Sequence, residues 1–77
     1  MNDPKDLKVQ FEDFRNEERD SINLNYYGVE TYAIDKLDGF FRVQYTERAD
    51  SRVLATFADR FEAADYLEAT LKSDGWG

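Results

Sequence analysis

Residues 36–47 read Lys36-Leu37-Asp38-Gly39-Phe40-Phe41-Arg42-Val43-Gln44-Tyr45-Thr46-Glu47. Asp-Gly supplies two residues that tolerate positive φ, the signature of a tight hairpin turn. Downstream, Phe41, Val43 and Tyr45 alternate with Arg42, Gln44 and Thr46, the period of a half-buried strand. Upstream, residues 29–35 are rich in β-branched and aromatic side chains (Val29, Thr31, Tyr32, Ile34) and read as the hairpin's first strand. After a polar turn at Arg48-Ala49-Asp50-Ser51, residues 52–57 read as a third strand. Asp59 then offers a helix N-cap, with Glu62 three residues on as in a capping box. Phe61, Ala64, Leu67 and Leu71 form the apolar stripe of the helix that follows, and Asp74 or Gly75 ends it.

Towards the N-terminus, Asp3-Pro4 suits a helix start. Leu7, Phe11 and Phe14 follow at spacings of four and three, predicting a helix to about Arg19. Ile22, Leu24 and Tyr26 alternate briefly before Gly28 interrupts. The expected fold class is α+β. An N-terminal helix leads into a three-stranded antiparallel sheet, and a C-terminal helix packs on that sheet. At 77 residues the chain has room for one domain, spanning 1–77. Twelve aromatic residues supply the dense core that so short a chain needs.

Composition narrows the chemistry. The chain has no cysteine and no histidine, which removes thiolate and imidazole nucleophiles, bases and metal ligands. Phosphate loops, dinucleotide fingerprints and nucleophile elbows are absent. The expectation is a non-enzyme with no cofactor and no metal site. Asp35, Asp38, Glu47 and Asp50 read as ordinary turn acids, since their spacing does not match a calcium loop. No apolar run approaches a membrane span, no signal peptide is visible, and the expected location is cytoplasmic. Seventeen acids against ten bases leave a net charge of -7. That balance opposes nonspecific nucleic-acid binding and favours attraction to a basic surface.

Four short pieces suggest a family: Tyr27-Gly28-Val29, Asp38-Gly39-Phe40-Phe41-Arg42-Val43, Leu54-Ala55-Thr56-Phe57 and Glu62-Ala63-Ala64-Asp65-Tyr66. Together they resemble the AP2/ERF domain and the related arm-binding domain of tyrosine recombinases, over about residues 27–72. The resemblance implies three strands and a helix, with the open sheet face laid in a DNA major groove. At the family's contact positions, however, this chain carries Glu30, Tyr32 and Thr46 instead of basic residues. The third strand opens near Ser51 and Val53, where the family has Arg and Trp. Guanine and phosphate contacts need guanidinium groups, so the resemblance implies the fold more than the activity.

Two sets of candidate residues follow. On a helical wheel Asp6, Asp13, Glu17 and Asp20 share one flank of the first helix, and Glu62, Asp65 and Glu68 extend the acidity on the second. Asp13, Glu17, Asp20, Glu62, Asp65 and Glu68 are the expected partner-binding residues. The expected partner is a protein with a basic, nucleic-acid-handling surface, such as a nuclease or CRISPR complex. In size, charge and compactness the chain is similar to phage anti-CRISPR inhibitors that mimic nucleic acid. The alternative is a nucleic-acid-binding module using Arg42, Gln44, Arg48, Arg52 and Tyr32. A third reading is an interaction domain adapted to high salt, given six arginines but only four lysines. A homodimer through a sheet edge is compatible with all three. Among the aromatics, Phe40 and Tyr26 are expected to pack, while Tyr27, Tyr32 and Trp76 are candidates for stacking or anchoring.

Overall fold

The computed structural model describes residues 4–26 and 30–75. The elements are α1 (Pro4–Arg15), β1 (Ile22–Tyr26), β2 (Glu30–Leu37), β3 (Phe40–Glu47), β4 (Asp50–Phe57) and α2 (Arg60–Ser73). The four strands form one antiparallel sheet in the order β1-β2-β3-β4. The α+β class and the C-terminal helix on the sheet are as expected, but the strand count is a correction. Ile22, Leu24 and Tyr26 do form a strand, with Ile22 opposite Ile34 and Leu24 opposite Tyr32. Five alternating residues are too few to declare a strand alone. Pairing with β2 and burial of Ile22 and Leu24 stabilise it.

The hairpins have the chemistry their turns require. Asp38 (φ 54°) and Gly39 (φ 82°) both adopt positive φ, the pattern of a type I′ turn. Leu37 thereby pairs with Phe40, and the ladder continues back to Glu30 opposite Glu47. The next hairpin turns on Arg48 (φ 58°) and Ala49, so Glu47 stands opposite Asp50 and β4 begins two residues earlier than its apolar pattern suggests. Along β4 the register slips between Val43 and Gln44, which face Ala55 and Val53. Leu54 is the extra residue of this bulge and joins the core margin.

Both helices lie on one face of the sheet. Phe11 and Phe14 of α1, Ile22, Leu24, Tyr32, Ile34, Phe41 and Val43 of the strands, and Ala63, Ala64, Leu67 and Leu71 of α2 form a single buried cluster. Phe14 and Phe41 meet edge to face at 5.4 Å between ring centroids. Gln10, buried on α1, closes the outer edge of β1 with its amide. Its Nε2 donates to Asn23 O (3.1 Å) and its Oε1 accepts from Asn23 N (3.0 Å). Asp59 caps α2 by accepting from Phe61 N, and Asp74 ends that helix.

α1 stops earlier than its sequence pattern, at Arg15. Glu18 N donates to Asp13 O and Glu17 N to Phe14 O, while Glu17 takes φ 63°. This is a Schellman closure with glutamate where glycine is usual. The cause is tertiary: Arg60 Nη1 donates to both Phe14 O and Arg19 O, drawing the chain after α1 back over α2. The N-cap expectation at Asp3 lies outside the described residues, as do the expectations for Tyr27 and Trp76 and for the side chain of Tyr26. No described helix is long and apolar enough to cross a membrane.

Candidate functional site

Strand alternation sorts the charges. The face turned away from the helices carries Thr31, Ala33, Asp35 and Leu37 of β2 and Phe40, Arg42, Gln44 and Thr46 of β3. On it, Arg42 grips Asp35 with two bonds, Nε to Oδ1 at 2.8 Å and Nη2 to Oδ2 at 2.6 Å, and Gln44 Nε2 adds a third at 2.7 Å. The bond from Arg42 holds the Asp35 carboxyl below its ordinary range and raises the Arg42 guanidinium. The two charges cancel, so this face is locally neutral in an acidic chain.

The residues of the nucleic-acid reading do not assemble there. Only Arg42 and Gln44 share the open face, and both are bound to Asp35. Arg48 sits at a hairpin tip, and Arg52 stands opposite Tyr45 on the helix side of the sheet. Tyr32 is in the core, where its hydroxyl donates to the Asp74 carboxylate. Burial first, then that bond and the charge of Asp74, push the Tyr32 phenol well above its ordinary value. Phe40 also departs from expectation. It is 49% exposed at the end of the open face, because only its neighbour Phe41 has the parity that faces the helices.

The six candidate acids divide into two groups. Arg15 Nη2 bonds Asp65 and Glu68, each at 2.8 Å, and Arg60 Nη2 bonds Asp20 at 2.9 Å. Burial lowers the Arg15 pKa, but its bonds to Asp65 and Glu68 outweigh that and leave it raised. Asp65 and Glu68 thus clamp α1 to α2, and Asp20 ties the chain after α1 to α2. Asp13 is half-buried, Glu17 is exposed at the closure of α1, and Glu62 is exposed in the first turn of α2.

Three carboxylates outside that set share one row. Glu30 pairs with Glu47, and Glu47 with Asp50, so the row crosses β2, β3 and β4 on the helix side, beyond Tyr45. Neighbouring Cα atoms in such a row are about 5 Å apart, and like charges directly opposite one another destabilise a sheet. None of the three is ion-paired to a described lysine or arginine. Tyr45 registers the row: burial first, then the charges of Glu30 and Glu47 and hydrogen bonds to both, raise its phenol. Among the described residues no acidic group is clustered closely enough to hold a metal ion. The row was legible in principle, because the Asp38-Gly39 turn sets Glu30 opposite Glu47 by counting. Acids near turns reveal such a row only when counted across strands.

An open cleft lies between the end of α1, the β2–β3 hairpin and the start of α2, with Glu17, Asp59 and Arg60 among its lining residues. Arg60 is already committed to α1, so the cleft offers no ready cationic group from α2.

Comparison with known proteins finds no matching family model, no similar curated protein and no solved structure of matching fold. The site is therefore read from its own chemistry.

Proposed function

We infer that this chain is a small, non-enzymatic acidic protein that docks on the basic surface of a nucleic-acid-handling protein. The observation that carries this reading is the row Glu30–Glu47–Asp50. Three carboxylates stand side by side at a cost to the sheet, and none of them is ion-paired to a described lysine or arginine. Such a row presents to a partner's lysines and arginines a line of anionic groups like that of a phosphate backbone. Asp20, Asp65 and Glu68 are held by Arg60 and Arg15, and Glu17 and Glu62 lie towards the β2–β3 hairpin, at the opposite end of the sheet, so the row stands apart from all of them. A nuclease or CRISPR effector complex is the partner class, and the action is inhibition by occupying its nucleic-acid channel. Direct reading of a polyanion by the open face is disfavoured, since its one guanidinium is already held by Asp35.

The test is capture of purified nuclease and CRISPR effector complexes in rising KCl, from about 0.05 to 0.5 M, the range over which charge attraction is progressively screened. The expected result is salt-sensitive capture that falls at least ~tenfold in the combined Glu30→Gln, Glu47→Gln, Asp50→Asn variant. Asp65→Asn should change it far less. Capture indifferent to salt and to the triple variant rules the reading out.

A further inference from the structure

We propose that the open face of the sheet is a self-association surface, on which a second copy of this chain lies face to face about a two-fold axis running between β2 and β3. No described element covers this face, which lacks net charge because Asp35 and Arg42 cancel. The rest of a chain of charge -7 repels its own copy, so this is the side by which two copies approach at least electrostatic cost. Leu37, Phe40 and Val53, three of the large apolar side chains that are half-exposed, stand on it at 49% each.

The register makes the face complementary to itself. Asp35 is paired with Arg42, and Leu37 with Phe40. A two-fold axis parallel to the strands, between β2 and β3, lays each pair on its own reverse. Asp35 comes over Arg42 of the second copy and Arg42 over its Asp35, while Leu37 meets the second Phe40. This is the reciprocal contact an isologous interface requires, and aligned sheets tolerate the small crossing angle that twist imposes. Three strands of eight residues and one of five, about 4.8 Å apart with about 3.3 Å rise per residue, give a face of about 460 Å². Two copies then bury about 900 Å², the size of a weak, transient interface. The sheet edges are poorer candidates: Gln10 occupies β1 at Asn23, and the bulge at Leu54 breaks β4.

Sedimentation equilibrium of the full chain tests this independently of any partner. The expected dimer dissociates on the order of 10 to 100 µM. Phe40→Glu, at an exposed position, should weaken it at least ~tenfold with unchanged circular dichroism. Arg42→Asp places two carboxylates together and should give a monomer. Adding Asp35→Arg to Arg42→Asp restores the opposite pair and should restore the dimer. Leu37→Lys serves should the Arg42 variant fail to fold. A monomer at about 1 mM, far above that constant, overturns the proposal. So does a dimer indifferent to Phe40→Glu and Leu37→Lys, which would place the contact at an edge.

Discussion

The two faces of the sheet use charge in opposite ways. On the open face one carboxylate and one guanidinium are gripped to each other in half-exposed surroundings, and nothing in the core depends on them. On the helix face, arginines enter partly buried ground and join elements distant in sequence. Arg60 lies over the rings of Phe14 (5.3 Å) and Phe41 (5.0 Å) while bonding two carbonyls and Asp20. Beyond the helices the same face carries Glu30, Glu47 and Asp50 with no such partner. The difference teaches that an acid count alone does not locate a docking surface. Carboxylates held by Arg15 and Arg60 belong to the architecture, and those left over are the ones the proposed docking would use.

The sharpest way to break this contrast is to truncate one phenylalanine on each face. Phe14→Ala should cost about 3–5 kcal/mol in urea unfolding, because Phe14 is fully buried. Phe40→Ala, measured at low protein concentration, should stay within about 0.5 kcal/mol. Comparable losses would erase the distinction between faces.

Next comes the arginine pair. Arg60→Met should cost about 2–4 kcal/mol, since it removes a donor from Phe14 O and Arg19 O and the ion-pair partner of Asp20. Arg42→Met should move the urea midpoint far less. A larger effect at Arg42 would mean that the open-face cluster supports the fold.

The smallest effect separates the two kinds of polar group by pH. Tyr32 has a folded pKa raised above the unfolded value of about 10. Its contribution is therefore fully present below about pH 10 and lost as pH rises through the folded value. Tyr32→Phe should cost about 1 kcal/mol at neutral pH and shrink the alkaline fall in stability. Equal alkaline slopes for the two proteins would show that the Asp74 bond does not govern the titration.

Much of this molecule was readable in advance. The Asp38-Gly39 turn, the alternation of β3, the Asp59 cap and the positions Ala64, Leu67 and Leu71 of the α2 stripe are local signals that survive without tertiary context, whereas Phe61, expected on that stripe, is 52% exposed. β1 and the end of α1 were not readable in that way. Five alternating residues become a strand only beside β2, and α1 ends where Arg60, 46 residues from Phe14, takes its carbonyl. Phe40 was read as packed because composition marks a residue as apolar but cannot say which side of a strand it faces the core from.

For the candidate site the division is the same. The amino-acid sequence by itself determined the acid excess, the absence of imidazole and thiol chemistry, and through one turn the register that aligns Glu30 with Glu47. Only the tertiary structure decided which acids an arginine holds and which it leaves. Ion pairs such as Arg15–Asp65 and Arg60–Asp20 join residues 50 and 40 positions apart, and a Coulomb contact depends on distance in space, which the order of residues along a chain does not contain.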